Sequence, residues 1–254
     1  MVKLANTKDL KSFGRNSLPV QVRLAAPKSS APARGAFFSA FSLSNLPLIF
    51  PPIIILTSLE HGAVDILDYA IFSFINGLAH KSPALDAVMI FSSAVLPYYF
   101  VLMTFAVFAV GAVSGRRRLR ENAAVTVTLV SLSLTVNFLF SLISYVPRPF
   151  TAHRVNMLLP HAADTSFPSD HAAFSMSAAA GLARADRLVG CLSFAAALLI
   201  GFSRVYVGHH YPSDIIGSYI IVFAVNALYG RYIERNVRRL YSRAERRLLR
   251  SVKS

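Results

Sequence analysis

Two arginines, two histidines and an aspartate, Arg148, Arg204, His171, His210 and Asp214, stand in three short polar clusters that also hold Asp170, each cluster abutting an apolar stretch, and their types suit chemistry on a phosphoryl group. The first cluster is Pro147-Arg148-Pro149-Phe150. The second is Ser166-Phe167-Pro168-Ser169-Asp170-His171, and the third runs Ser203-Arg204, five residues, His210, three residues, Asp214. Arg148 and Arg204 each offer a planar fork of donors that matches phosphate oxygens. Pro168 favours a helix start at Ser169, which would aim backbone N–H groups around Ser169–His171 at an anion. His210 and Asp214 can pair, the carboxylate orienting the imidazole and leaving the other ring nitrogen free to attack phosphorus. His171 is then available as general acid for the departing oxygen, a role worth about two to four powers of ten in rate. The bland alternative for these five is a buried salt-bridge cluster that ties helix ends together, and for Ser169 a plain helix cap. His209 beside His210 raises a metal reading with Asp214. Neighbouring residues point in different directions and no matching carboxylate set accompanies them, so no metal and no other cofactor is expected. His153 and His161 share the loop between the first two clusters, where substrate contact and a simple loop role are both open.

The elements that must hold these groups are apolar helices. The 254 residues are 54% hydrophobic, with a mean hydropathy of +0.51, too apolar for an ordinary soluble domain. Uncharged windows run over Gly35–Leu59, Ala87–Gly115, Asn122–Pro147, Leu188–Ser203 and Ile215–Gly230, with an alanine-rich run at Ala172–Ala183. The first three are long enough to span alone, given about 17 to 25 residues per span. The shorter ones reach that length only by taking in Ser169–His171, Arg204 and Asp214, which puts those residues at a membrane boundary. The expectation is an all-α, polytopic bundle of about six transmembrane helices. An outer amphipathic helix joins it, with Ile66, Leu67, Ala70, Ile71, Phe74, Ile75 and Leu78 as its apolar stripe and Asp65, Asp68 and Asn76 off the stripe. It would serve as a packing helix or as a lid over lipid access. The organisation reads as a basic leader over 1–35, a membrane domain over 36–230 and a basic tail over 231–254.

The formal net charge of +14 follows topology. Of 26 Lys and Arg residues, 22 fall in Lys3–Arg34, Arg116–Arg120, Arg184 with Arg187, and Arg231–Lys253. With six spans all four segments lie on one side, which the positive-inside rule makes cytoplasmic together with both termini. The three polar clusters then face outward. A nucleic-acid partner is disfavoured, because the arginines do not form one exposed face. Cys191 lies alone in an apolar window and leaves the redox compartment open.

The three clusters in this order resemble the signature of the type 2 phosphatidic acid phosphatase superfamily: Lys, six residues, Arg-Pro; Pro-Ser-Gly-His; and Ser-Arg, five residues, His, three residues, Asp. The resemblance covers about Ala87–Gly230. It implies a six-helix membrane fold that needs no metal, with His210 as a nucleophile forming a phosphohistidine, Asp214 as its partner and His171 as the acid. Arg148, Arg204 and Ser169 would bind the phosphate. Two positions depart from the signature: Ser141 stands where the motif has lysine, and Asp170 where it has glycine. Phe-Pro-Ser-Asp-His-Ala with Pro-Arg-Pro-Phe is similar to the bacterial undecaprenyl-diphosphatase branch. An acidic residue beside an anionic substrate makes sense if Asp170 orients Arg148 or Arg204. The expected partners are the bilayer and a lipid phosphate or diphosphate, undecaprenyl diphosphate first, with phosphatidate or phosphatidylglycerophosphate as alternatives. A silent scaffold or transporter built on the same bundle is the remote alternative.

Overall fold

A computed structural model describes residues 65–251. The basic leader, the Gly35–Leu59 window and His61 lie outside the described residues. Helix α1 covers residues 65–76, α2 Pro83–Ala94, α3 Pro97–Val113, α4 Arg117–Ile143, the single turn α5 Pro149–Ala152, α6 Asp170–Leu182, α7 Arg187–Tyr206 and α8 Pro212–Leu228. A π-helical turn, Tyr229–Ile233, leads α8 into α9, Glu234–Ser251. Among the described residues there is no strand, only an isolated bridge between Pro147 and Thr165.

Helices α4 and α7 and the continuous rod Pro212–Arg247 are each long and apolar enough to cross a membrane. Helices α2 and α3 pass the same test only when taken together, and they are bent by 51° at the break between them. The Ala87–Gly115 window, expected to span as one helix, is therefore broken. Pro97 opens α3 with no N–H for the Ser93 carbonyl, and its ring crowds that oxygen. Helix α6 has 13 residues, about 20 Å, less than the roughly 30 Å of a hydrocarbon core. It lies inside the bundle, with ten of those residues buried. Alanine, serine and glycine let the partners approach: a Cβ added at Gly181 would strike the Thr126 side chain of α4.

Helix α1 buries Phe72 in the core with Tyr69 and Ile75 packed beside it, but turns another part of its apolar surface outward. Its apolar residues Ile66, Leu67, Ile71 and Phe74 are exposed, Phe74 to 74%, whereas Asp68 and Asn76 are buried. In a membrane protein an apolar face needs no protein cover, and the inward polar groups are hydrogen-bonded. Asp68 accepts from Ser213 N at 2.9 Å and Ser213 Oγ at 2.7 Å, capping the start of α8. Asn76 donates to the Asn156 and Tyr206 carbonyls, both at 2.8 Å, and accepts from Asn156 N at 2.8 Å. Thus α1 clamps the loop before α6 and the turn between α7 and α8. Asp68→Ala should lower the thermal midpoint by about 2–4 °C, as loss of a helix cap worth about 1 kcal/mol does. Leu67→Ala, on the exposed face, should leave the midpoint in detergent within a degree.

Candidate active site

The spacing between Arg204 and His210 acquires its meaning at the C-terminus of α7. Gly208 N–H donates to Val205 O at 3.1 Å and His209 N–H to Arg204 O at 3.0 Å, the paired bonds of a Schellman cap. Gly208 has φ +88°, a conformation that side chains rarely adopt. The chain is thereby folded back, and His210 N also reaches the Arg204 carbonyl, at 3.3 Å. Pro212 then opens α8 at a position where its missing N–H costs nothing. Asp214, in that first turn, accepts from Tyr211 N at 2.8 Å and from Ser166 Oγ at 2.5 Å.

These turns bring Arg148, Ser169, Arg204, His210 and Asp214 together, each no more than 5% exposed. The expected direct hydrogen bond between His210 and Asp214 is replaced by another. His210 Nδ1 lies 2.8 Å from the Ser166 carbonyl and 3.7 Å from Asp214 Oδ2. A carbonyl only accepts, so Nδ1 carries the proton and Nε2 the lone pair. Asp214 acts one step further out, fixing Ser166 through its hydroxyl. Arg148 Nη1 lies 3.1 Å from His210 Nε2 and 3.1 Å from the His209 carbonyl.

Arg204 is the unfinished part of this arrangement. Its Nη1 donates to Ser93 Oγ at 2.9 Å, while Nε and Nη2 are buried with no hydrogen-bond partner among the described residues. Leaving charged donors unsatisfied is costly unless an anion completes them. His171, in the first turn of α6, is half-buried and in electrostatic contact with Arg204, Arg148 and His161. Its ring makes no hydrogen bond to a described residue. Ser169 is the N-cap of α6: its Oγ accepts weakly from Ala172 N, at 3.5 Å, and its own N–H is taken by Ser218 Oγ at 2.8 Å. By position, the N–H groups of Asp170 and His171 begin the helix without an intrahelical acceptor.

Asp170 does not meet either arginine. It is exposed and accepts from Asn137 Nδ2 at 2.7 Å, tying α6 to the buried face of α4. The carboxylate on Arg148 belongs to Asp164, whose Oδ1 is 2.6 Å from Nε. Burial works against the Asp164 charge, but the hydrogen bond and the charge of Arg148 outweigh it and hold this carboxyl below its ordinary range. Asp164, Ser166 and Ser93 escape a reading by motif. Ser166 opens the second cluster but carries no role by type or spacing, Asp164 precedes that cluster without a distinguishing pattern, and Ser93 lies 111 residues from its partner. His161 comes closer than its loop position suggests, its ring 4.6 Å from that of His209 and 6.4 Å from that of His210. His153 stacks on Tyr69 instead, at 4.0 Å. Ser141 is bonded to the Phe138 carbonyl of its own helix, so no cation comes from that position.

Burial, then Arg204 and Arg148, push His210 well below its ordinary 6.5, and burial with Arg204 pushes His209 down to about 3. Both imidazoles are therefore neutral at physiological pH. His209 Nε2 donates to the Leu159 carbonyl at 2.8 Å, turned away from any shared site with His210. The arrangement presents a neutral imidazole nitrogen, its lone pair turned to Arg148, beside two guanidinium groups. Such a constellation can attack a phosphorus atom and stabilise the charge on its oxygens.

Comparison with known proteins agrees with this chemistry. Residues 121–238 match the PAP2 superfamily. Undecaprenyl-diphosphatase BcrC of Bacillus subtilis is 35% identical over 168 residues, covering 65% of this chain and 84% of that protein. The chain belongs to the PAP2 superfamily. It is a multi-pass membrane phosphatase, homologous to undecaprenyl-diphosphatases. The putative undecaprenyl-diphosphatase YbjG of Escherichia coli is 31% identical over 152 residues, covering 59% of this chain and 75% of that one. Among solved structures, a PAP2-type phosphatidylglycerolphosphate phosphatase from Bacillus subtilis aligns with a TM-score of 0.51 at 21% identity, over 71% of this chain and 92% of that one. Aquifex aeolicus LpxE aligns with a TM-score of 0.50 at 23% identity, over 65% and 96%. Both share the fold.

Proposed function

We propose that this phosphatase converts a polyprenyl diphosphate, undecaprenyl diphosphate, to the monophosphate through a phosphohistidine on His210. The observation that carries the mechanism is His210 held by the Ser166 carbonyl, so that Nε2 faces the anion-binding guanidinium groups of Arg148 and Arg204. Nε2 attacks the terminal phosphorus, the bond to the bridging oxygen breaks, and its electron pair leaves on the lipid monophosphate. Protonated His171 supplies the proton to that oxygen. Water then attacks the phosphohistidine with His171 taking its proton, the P–N bond breaks, and inorganic phosphate departs. Arg204 and the first turn of α6 hold the equatorial oxygens, and Arg148 leaves His210 as the phosphate arrives. The name and coverage of the Bacillus subtilis relative support the diphosphate as substrate. A second reading, phosphatidylglycerophosphate, is favoured by the structural neighbour, because both lipids present the same terminal phosphoryl group.

The catalytic end faces outward in this proposal. Support comes from the arginines of residues 116–120, 184, 187 and 231–247, which gather toward the other ends of α4, α6 and α8. Phosphate release from the purified chain in detergent, with undecaprenyl diphosphate and phosphatidylglycerophosphate compared at equal concentration, tests the substrate. A higher kcat/KM for the glycerophospholipid would overturn the diphosphatase assignment.

The pH profile carries a sign. Because Arg204 and Arg148 disfavour protonation of His210, the reactive neutral form persists below its ordinary 6.5. The acid limb of kcat/KM, which reports the free enzyme, should therefore begin below pH 6.5. Arg148→Gln removes one cation, raises the His210 pKa and should move that limb of the residual activity toward higher pH. An unchanged limb would detach it from His210.

A further inference from the structure

The far end of α4 carries a second concentration of guanidinium groups that phosphoryl transfer does not use. Twenty-seven residues at 1.5 Å each put Arg117 about 40 Å from Ile143, where the catalytic site begins. Helix α9 packs there on the first turns of α4. Ser242 Oγ donates to Glu121 at 2.7 Å, and Arg120 Nε to Glu245 at 2.6 Å. With these groups turned inward, Arg117, Arg235, Arg238, Arg239, Arg243 and Arg246 line one open groove of about 380 Å³. The groove has a single carboxylate, Glu121, already engaged by Arg117 at 2.8 Å and lying 3.9 Å from Arg238. Arg235, Arg239, Arg243 and Arg246 make no hydrogen bond or ion pair with a described residue. Packing thus holds like charges around a shared space, an arrangement that an anion with several oxygens would offset.

One observation favours a lipid headgroup over a soluble phosphate. The lipid-facing surface of α8, with Ile216, Ile220, Phe223 and Leu228 exposed, continues through exposed Tyr232 and Ile233 and ends where the arginines of the groove begin. At that depth membrane phosphates lie beside the helix. We infer that the groove between α4 and α9 binds the phosphate headgroup of an anionic phospholipid, in the leaflet opposite the catalytic site.

The purified full-length chain in detergent tests this by its thermal midpoint with dioctanoyl phosphatidylglycerol, dioctanoyl phosphatidylcholine or inorganic phosphate at matched concentrations. Phosphatidylglycerol well above half-saturation should raise the midpoint by about 2–4 °C, and the other two by less than a degree. Arg239→Gln with Arg243→Gln should remove at least half of that rise while phosphate release from the lipid substrate stays within twofold. Any stabilisation through the catalytic site survives in this variant, so the difference between the two proteins measures the groove alone. Arg235→Gln with Arg246→Gln repeats the test from other positions should the first pair fail to fold. Equal stabilisation by phosphatidylcholine, or an undiminished rise in the variants, would overturn the site. A full rise with inorganic phosphate alone would overturn the assignment to lipid.

Discussion

His210→Ala is expected to reduce kcat by about 10⁴-fold or more, with little change in the melting curve. Loss of a covalent nucleophile carries a penalty of this order because the remaining groups cannot supply an alternative two-step route. The imidazole is buried, yet among the described residues its only short bonds are to the Ser166 carbonyl and to Arg148. Removing it leaves a small polar hollow that water can occupy, so the fold should survive. The decisive measurement is rapid quench with substrate labelled in the terminal phosphate. The native chain should give an acid-labile, base-stable phosphoprotein, and His210→Ala should give none. His171→Gln should accumulate the label if it slows hydrolysis of the intermediate more than its formation. Full turnover by His210→Ala would remove the phosphohistidine mechanism, whatever the lipid.

Arg204→Gln should lower kcat/KM by about 10²–10³-fold, the range for removing a preorganised donor to transition-state charge. Two of the Arg204 donors are buried without partners among the described residues, so their hydrogen bonds are available to substrate oxygens without first breaking others. Arg204→Lys keeps the charge but loses the fork, and should recover only part of the loss. Ser93→Ala supplies the contrast. It removes the anchor at Nη1 without touching substrate, and should raise KM several-fold while leaving kcat nearly intact. Equal losses in Ser93→Ala and Arg204→Gln, confined to stability, would make Arg204 a packing residue.

Of the seven residues picked out by motif, five are buried together in one place, and His171 joins them at the first turn of α6. Their gathering was legible because polar residues abut apolar stretches at each cluster and because turn geometry restricts the spacings that bring them together. Arg204 and His210 stand six residues apart, and the Schellman turn at Gly208 needs that interval to bring the second back over the helix end carrying the first. Asp170 illustrates the opposite case. Its carboxyl group was readable, but its direction was not, and packing turned it to Asn137 on α4 while Asp164 took Arg148. Residues 65–76 were readable as a helix with an apolar stripe, and which face turns inward was open to error. A period of 3.6 marks two faces but does not say whether lipid or protein covers the apolar one.

Sequence alone determined that the chain is a helical membrane protein whose polar motif residues abut the ends of its apolar stretches. Those properties depend on apolar length and on the chemistry of single residues, both local in the chain. Tertiary structure decided that Ser166, not Asp214, holds the His210 ring, that Ser93 holds Arg204, and that the Ala87–Gly115 window bends. Each of these joins or reorients groups distant along the chain, and a hydrogen bond is settled within a few tenths of an ångström. No periodicity or composition carries information at that scale; only the packing of helices against one another does.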